Sequence, residues 1–413
     1  MKPRVTVVTA GHLSTCPRML KAADALYGAG YRVRVVSTRH TPWASDTDCV
    51  VRASRSWEWT VVDYQRSSAR VRQVITGVRF HLARAAARSL GPDRVPAAVA
   101  PRAYSRAHDE LVRAIAAVPA DFVYGGTTGA LAAVAQAAAR LSVPYALDLE
   151  DFHSGELAGP DGELDNALAA TVERLVLAGA SFLTAGSPMI ADAYRQKYGL
   201  RPRAIHNTFP MQFSPDGARE GGGPLRLYWF SQTLGPGRGL EDVIEGAGRA
   251  DIDVELHLRA RPLPQYLDVL RRLRLRVARR LTIEHHEPGA PDKMVVLAQP
   301  YDFGLSCDEP TVLNRRLCLC NKIFTYLAAG VPVLLSRTPA QTELARDLGQ
   351  AACSYVVGDV DEIATILRRL AKDEGVRLLA RCAARAAAIR RWHWEHPEDR
   401  GALLERVVAV VPL

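Results

Sequence analysis

A chain of 413 residues is too long for one ordinary hydrophobic core and predicts two domains of roughly 200 residues each. Its 48% hydrophobic and 23% charged content is typical of a globular protein, and no apolar run approaches the ~20 residues of a membrane-spanning helix. The net charge of +9 favours anionic partners, but sparse aromatic residues and the lack of any nucleic-acid motif argue against nucleic-acid binding.

The amino terminus enters a predicted strand directly, without a leader-type apolar segment. Seven cysteines are an odd number for a disulfide framework, and the Cys318-Leu319-Cys320 spacing does not suit a zinc clip. We therefore expect a cytoplasmic protein with reduced thiols.

The first predicted unit is a strand at residues 5–8, a helix at about 18–27 and a strand at 32–36. Gly11 lacks the companions of a GxGxxG fingerprint, which argues against a dehydrogenase. The loop after the first strand carries four candidate site residues: Gly11, His12, Thr15 and Arg18.

Residues 65–118 are predicted to be helical, with ten arginines against three acidic residues between Tyr64 and Arg113. Apolar residues recur at helical spacing at positions 71, 74, 75, 78 and 82. Such a basic amphipathic helix either rests on an anionic membrane surface or forms a solvated cover over the sheet. A peripheral contact with the inner membrane therefore stays open.

Strands at 121–126 and about 145–149 and a helix at 130–140 continue the alternation. The second of these strands ends in a cluster of polar groups: Asp148, Glu150, Asp151 and His153. Carboxylates at a strand end can orient or deprotonate an acceptor hydroxyl or amine, or bind a cation. The alternative is a capped turn with solvated acids.

Helices at 168–178 and 187–198 and strands at 182–185 and 205–208 complete the first half. Residues 211–224 are rich in Gly, Pro and Ser and form the clearest linker. We therefore predict a first domain at 1–213 and a second at 214–385, followed by a segment at 386–413.

The second half restarts with a strand at 225–230 and a glycine-rich loop: Gly235, Gly237, Arg238 and Gly239. Glycines let backbone N–H groups approach a phosphate, Arg238 can pair with it, and the helix beginning near Leu240 adds its dipole. A plain glycine-rich turn is the alternative. Strands at 254–259 and 281–287 follow, and the adjacent His285 and His286 face opposite sides of their strand, which disfavours a two-histidine metal site.

Residues 301–343 predict a strand, a polar loop, a short helix and a second strand. Asn321 is a candidate N-cap, Gly330 ends the helix and Pro332 prevents its resumption. Ligands of parallel sheets bind beyond the carboxyl ends of the strands, and a helix N-terminus favours anions. Asn321 and Lys322 therefore stand where a phosphate is expected.

Glu309, the run Asn321-Lys322-Ile323-Phe324 and the exit Ala328-Ala329-Gly330-Val331-Pro332-Val333 together resemble the donor-binding segment of glycosyltransferase family 4. This resemblance implies a retaining enzyme of the GT-B fold, with two Rossmann-like domains facing across a cleft and a C-terminal helix that crosses back to the first. It also implies a nucleoside diphosphate sugar as co-substrate, with no cofactor and no metal.

The resemblance further implies roles for individual residues. Glu309 is expected near the donor sugar, and Thr325 stands where the family's ribose-binding Glu is found. His286 and Glu287 are expected at the nucleotide base, and the loop of Gly11, His12, Thr15 and Arg18 on the acceptor side. The predicted acceptor is a glycan, a lipid-linked molecule or a small natural product, positioned by the strand-end cluster.

Two further interpretations stay open. GT-B folds also host sugar nucleotide epimerases, for which an acidic cluster facing the donor is suitable. An inactive binding subunit is the third possibility, because Thr325, Thr233 and Glu150 all depart from the family pattern.

Overall fold

The computed structural model describes residues 2–91, 94–212 and 223–413. The described chain forms two compact units. The first comprises Met1–His206, Val312–Asn314 and Pro397–Leu413, and the second Asn207–Thr311 and Arg315–His396. Most of the predicted linker, and the predicted boundary at 213/214, lie outside the described residues. Residues 386–396 are grouped with the second unit, whereas 397–413 are grouped with the first.

The strands of the first unit are β1 Arg4–Thr9, β2 Arg32–Arg39, β3 Glu58–Asp63, β4 Phe122–Gly126, β5 Tyr145–Leu149, β6 Leu183–Ala185 and β7 Arg203–Ala204. Its helices are α1 Pro17–Gly28, α2 Pro42–Ala53, α3 Arg70–Leu90, α4 Ala100–Tyr104, α5 His108–Ala116, α6 Leu131–Leu141, α7 Gly159–Val176 and α8 Pro188–Tyr198.

The second part contains strands β8 Leu225–Leu234, β9 Val254–Pro262, β10 Leu281–His286, β11 Phe303–Ser306, β12 Val333–Ser336 and β13 Ala352–Tyr355. Its helices are α9 Leu240–Ala250, α10 Tyr266–Val277, α11 Met294–Ala298, α13 Asn321–Ala328, α14 Pro339–Leu348, α15 Val360–Lys372 and α16 Glu374–Arg390. Helix α12 Leu313–Leu317 has residues in both units, and α17 Ala402–Val410 belongs to the first unit.

Within the described residues, the first unit has a seven-stranded sheet in the order β3-β2-β1-β4-β5-β6-β7, and its strand pairs are parallel. Helices cover both faces of such a sheet, so its strands are apolar along their length rather than alternating. In β1, five of six residues are buried, as this arrangement requires.

The second unit has a six-stranded parallel sheet in the order β10-β9-β8-β11-β12-β13, again within the described residues. Its core includes Trp229, Leu256 and Phe303, each fully buried. The strand order reverses between β1 and β4 in one sheet and between β8 and β11 in the other. Connections leave in opposite directions at such a point, so the carboxyl ends there border a crevice.

These sheets confirm the predicted pair of Rossmann-like α/β domains. Three local predictions were wrong. The last strand of the first sheet is β7, so residues 205–208 are not a strand. Asn321 is the first residue of α13 and Cys320 is its N-cap. The strand predicted at 225–230 continues to Leu234, where it pairs with Pro262.

No helix in the described part of the chain combines the length and the apolar composition that crossing a lipid bilayer demands. All seven cysteines lie among the described residues, and each is a free thiol.

Candidate functional site

The loops that follow β8 and β11 meet at the reversal point of the second sheet. The backbone N–H of Gly239 donates to Oε1 of Glu309 across 3.2 Å. On the other side of the same loop, Nη1 of Arg315 donates to the carbonyl of Gly237 at 2.7 Å. The glycine-rich loop and the Glu309 loop, which are about 70 residues apart in sequence, are therefore one structural feature.

Gly239 is a position where only glycine fits. Its φ is +66°, in the left-handed region, and a Cβ built there would lie 2.1 Å from the carbonyl oxygen of Cys307. Gly237 also has a left-handed φ of +72°, but a Cβ there would meet nothing within 4 Å. The close approach of the two backbones at Gly239 places the free N–H groups of α9 beside the Glu309 loop.

Lys322, on the first turn of α13, is buried beside Asp308. Its Nζ lies 3.3 Å from Oδ2 of Asp308, and both side chains are less than a tenth exposed. The same carboxylate oxygen accepts hydrogen bonds from Ser306 Oγ at 3.0 Å, Cys320 Sγ at 2.9 Å and Gln341 Nε2 at 3.4 Å. Asp308 is thus fully engaged and holds Lys322 at the end of β11.

Electrostatics keep both members of this pair charged. Burial alone would raise the pKa of Asp308, but the Lys322 ammonium, the hydrogen bonds from Cys320 and Ser306 and the Arg315 charge together hold that pKa well below its ordinary value. Burial likewise would lower the pKa of Lys322, and Asp308 raises it above its ordinary value. Arg238 is near enough to oppose protonation of Lys322, and Arg315 lies 3.9 Å from Asp308. Lys322, Arg238 and Arg315 are therefore the cations at the end of β11 that are available to attract an anion.

Two other residues predicted to bind the sugar nucleotide, Gly235 and Thr325, make contacts within the protein. Gly235 is a packing glycine, because a Cβ there would lie 2.6 Å from Cδ1 of Leu263. Thr325 is buried, and its hydroxyl donates to the carbonyl of Asn321 at 3.2 Å within α13. The Thr325 hydroxyl is therefore not placed to provide the paired hydrogen bonds that a carboxylate would give a ribose.

His286 and Glu287 lie at the end of β10, as predicted. The ring of His286 stacks on His257, with its Nε2 2.9 Å from Nδ1 of His257. The carbonyl of Glu287 accepts from Nη1 of Arg259 at 2.8 Å. A base-binding role for these two residues stays a prediction.

In the first unit, Arg18 and Asp148 form a buried ion pair. Nε and Nη2 of Arg18 donate to the two carboxylate oxygens of Asp148 at 2.7 and 2.5 Å, and Nη1 donates to the carbonyl of Ile205 at 2.6 Å. Thr184 also donates to Asp148 at 2.5 Å. Burial would lower the pKa of Arg18, but Asp148 outweighs it and the pKa is raised. Both residues are occupied with each other, so their first role is structural.

The other predicted acceptor-side residues are also engaged within the loop after β1. Nδ1 of His12 lies 2.7 Å from Oδ2 of Asp48, while its Nε2 accepts from the backbone N–H groups of His40 and Thr41 at 3.1 and 3.0 Å. Nδ1 therefore carries the proton. Thr15 donates to the carbonyl of His12 at 2.9 Å. A Cβ at Gly11 would make only an ordinary contact.

The predicted strand-end cluster divides into two groups. Glu150 lies on the side of the ion pair, where burial raises the pKa of the Cys16 thiol to about 12 and the Glu150 charge adds to the effect. Asp151 faces the other way and accepts from Nδ2 of Asn314 at 2.8 Å, and Asn314 in turn accepts from the N–H of Phe152 at 2.8 Å.

His153 has an unused ring nitrogen. It is buried, its Nδ1 lies 3.3 Å from Oε2 of Glu156, and its Nε2 has no hydrogen-bond partner among the described residues. Burial would lower its pKa, but the charge and hydrogen bond of Glu156 raise the pKa to about 9. The raised pKa favours the protonated imidazolium, whose Nε2–H has no acceptor among the described residues.

Sequence reasoning did not identify Asp308, Arg315 and Glu156. Asp308 had a usable signal, because it directly follows a buried strand beside Glu309. Arg315 and Glu156 had none, because their partners lie in other elements. Among the described residues, no group of three His, Cys, Asp or Glu side chains is arranged to hold a metal ion.

Residues 17–208 match the sequence family described as glycosyl transferase 4-like domain. A comparison with curated proteins finds no match. Among solved structures, the chain resembles Anabaena HepE in complex with UDP-glucose at a TM-score of 0.67 and 16% identity, covering 99% of this chain and 100% of that chain.

A glycosyltransferase from Rickettsia africae has a TM-score of 0.67 at 11% identity, covering 99% of each chain. A Listeria monocytogenes protein assigned to the UDP-N-acetylglucosamine 2-epimerases has a TM-score of 0.58 at 12% identity, covering 99% of this chain and 96% of that one. At these identities the likenesses establish the fold.

Proposed function

Since this chain is a glycosyltransferase of the GT-B fold with a glycosyl transferase 4-like domain at residues 17–208, we propose a nucleoside diphosphate sugar as its donor. The sugar is transferred with retention of anomeric configuration. The acceptor is a glycan, a lipid-linked molecule or a small natural product, and the reaction uses no further cofactor.

The observation that carries this proposal is that the loops after β8 and β11, each leading to a helix N-terminus, meet at one sheet reversal. The N-terminus of α9 at Gly239 and the first turn of α13 at Lys322 both adjoin residues 307–309. Helix N-termini, a buried ammonium and the nearby Arg238 suit the two negatively charged phosphates of such a donor.

The chemistry follows from this placement. The bond between the anomeric carbon and the β-phosphate oxygen breaks, a bond from the acceptor oxygen or nitrogen to the same carbon forms, and the acceptor proton passes to the departing phosphate. Lys322, Arg238 and the N–H of Gly239 stabilise the charge that develops on the diphosphate. Glu309 stabilises the oxocarbenium-like centre once the donor has displaced it from Gly239.

In the first unit, we assign the acceptor contact to His153 rather than to Asp148. The support is that both oxygens of Asp148 are taken by Arg18, whereas Nε2 of His153 is buried without a partner among the described residues. A protonated His153 binds a hydroxyl or an anionic oxygen, so its role is to position the acceptor.

Calorimetric titration with nucleoside diphosphates and their sugar conjugates tests the donor assignment. We expect binding to the wild-type protein and a loss of at least tenfold in Arg238→Ala. Arg279→Ala removes a charge from an exposed position and serves as the matched control. Failure to bind any of these ligands, or equal binding by Arg238→Ala, contradicts the assignment.

A sugar nucleotide epimerase is the second candidate, favoured by the fold likeness to the Listeria monocytogenes protein. Incubation of the donor without acceptor separates the two activities, because an epimerase converts the donor alone. Binding without any turnover, across a panel of acceptors, would instead identify an inactive binding subunit.

A further inference from the structure

Gln341, in the first turn of α14, has a buried amide oxygen without a hydrogen-bond partner. The residue is 1% exposed, and its Oε1 accepts no hydrogen bond from any of the described residues. Buried polar atoms of proteins are nearly always hydrogen-bonded, so an unpaired one requires an explanation. A ligand group that donates a hydrogen bond to Oε1 provides one.

The neighbouring carboxylate determines which way the amide of Gln341 is turned. Its Nε2 donates to Oδ2 of Asp308 at 3.4 Å. Lys322 and the hydrogen bonds to Asp308 hold the pKa of this carboxyl well below its ordinary value, so the carboxylate is ionised and only accepts. An amide oxygen in the same place would be repelled. The amide nitrogen therefore faces Asp308, and Oε1 is turned away from it with its lone pairs unused.

Gln341 belongs to the same cluster as the proposed phosphate ligands. Oγ of Ser336, the last residue of β12, donates to the carbonyl of Asp308 at 2.7 Å and joins the ends of β11 and β12. Gln341 and Lys322 share the Asp308 carboxylate, because Nζ of Lys322 lies 3.3 Å from the same Oδ2. The first turns of α13 and α14 thus meet at one side chain.

The chemistry of the free oxygen selects the part of a sugar nucleotide that it can bind. Ionised phosphate oxygens only accept hydrogen bonds, so they suit Lys322 and the N–H of Gly239 but not Oε1 of Gln341. The hydroxyl groups of the ribose and of the transferred sugar donate hydrogen bonds and flank the diphosphate. A hydroxyl next to the diphosphate is therefore the partner that this oxygen lacks.

We propose that Oε1 of Gln341 accepts a hydrogen bond from a hydroxyl group of the bound sugar nucleotide, and that Gln341 thereby determines which donors the site accepts. The inference rests on the proposed function and deepens it, because it adds the recognition of a hydroxyl to the binding of the diphosphate. The ribose and the transferred sugar are the two sources of this hydroxyl.

Calorimetry with the full-length protein tests the proposal on three ligands with the same base: a 2′,3′-dideoxynucleoside diphosphate, the ribonucleoside diphosphate and its hexose conjugate. UDP, GDP and ADP and their glucose or mannose conjugates provide the series. Gln341→Met keeps the length of the side chain and removes its oxygen. Gln350→Met, at an exposed position just beyond α14, is the matched control and should bind all three ligands as the wild type does.

We expect Gln341→Met to bind the dideoxy ligand within roughly twofold of the wild type and to lose about fivefold in affinity once the recognised hydroxyl is present. A loss that begins with the ribonucleoside diphosphate identifies a ribose hydroxyl. A loss that begins with the hexose conjugate identifies a hydroxyl of the transferred sugar.

Deoxy ligands provide a second measurement that uses the wild type. Removing the recognised hydroxyl from the ligand should weaken wild-type binding about fivefold and leave binding to Gln341→Met unchanged. Equal affinities of variant and wild type for all three ligands, or a loss that is already complete with the dideoxy ligand, would overturn the proposal. Failure of the wild type to bind any nucleoside diphosphate would instead overturn the proposed function, and this inference with it.

Discussion

The backbone N–H of Gly239 donates to Oε1 of Glu309 across 3.2 Å. Gly239 is the N-cap residue of α9, where the first N–H groups and the helix dipole favour an anion. The Glu309 carboxylate thus accepts a hydrogen bond from a backbone N–H group that could otherwise bind the proposed diphosphate. Under the proposed function, the diphosphate and Glu309 compete for this N–H group.

Replacing Glu309 by Gln should tighten the binding of a nucleoside diphosphate by roughly three- to tenfold, because a competing negative charge is removed from the anion site. Sugar transfer should fall at least tenfold, since the carboxylate no longer stabilises the anomeric centre. Calorimetry and an initial-rate assay measure the two effects. Glu343→Gln, at an exposed position on α14, is the control. Weaker nucleotide binding in Glu309→Gln would show that Glu309 helps to hold the ligand.

Substitutions in the Lys322–Asp308 pair distinguish an effect on the free energy of unfolding from an effect on nucleotide binding. Lys322→Met leaves a buried carboxylate without its cation and should lower the free energy of unfolding by about 3 kcal/mol. Adding Asp308→Asn should recover much of this loss, because neither charge then remains. Nucleotide binding should stay weak in both variants. Denaturant unfolding and calorimetry provide the measurements, and recovery of binding in the double variant would exclude Lys322 as a phosphate ligand.

The two left-handed glycines of the donor loop should differ sharply. Gly237→Ala meets no neighbour within 4 Å and should cost about 1 kcal/mol of stability through backbone strain alone. Gly239→Ala meets the carbonyl of Cys307 at 2.1 Å, so the two loops must separate. We expect a larger loss of stability and no measurable nucleotide binding. Gly199→Ala, at a left-handed helix end with open space around it, is the control for strain. Equal behaviour of the two loop variants would contradict the close approach.

The pH dependence of the free energy of unfolding should reflect the protonation of His153. Glu156 raises the pKa of His153 in the folded state to about 9, above the ordinary value of 6.5. The resulting stabilisation is complete below the unfolded pKa and is lost as pH rises from about 6.5 through 9. Its size is on the order of 3 kcal/mol.

Thermal or denaturant unfolding between pH 6 and 10 measures this effect. Glu156→Gln removes the charge that raises the pKa, so its stability should vary less across that window than that of the wild type. His153→Gln should behave in the same way. An unchanged profile in both variants would mean that His153 is not the group responsible.

The sequence by itself determined most of the fold. A strand of a parallel sheet is buried on both faces and is therefore a continuous apolar run, whereas a helix that covers the sheet is buried on one face and is amphipathic. Both patterns can be recognised from short stretches of sequence. The end of α13 could also be predicted from the sequence, since Gly330 and Pro332 stop a helix by their own backbone geometry. The prediction of Asn321 as N-cap was one residue out, because caps depend on the dihedral angles of the residue and not on its type alone.

Only the tertiary structure decided which polar groups are available. Arg18 and Asp148 are 130 positions apart, and Gly239 and Glu309 are 70 apart, so no local pattern reveals that each pair is bonded. His12 was an acceptor-side candidate, yet its ring accepts hydrogen bonds from two backbone N–H groups and is buried. The sequence supplied the candidate residues, whereas long-range burial and pairing determined which of them can still contact a ligand.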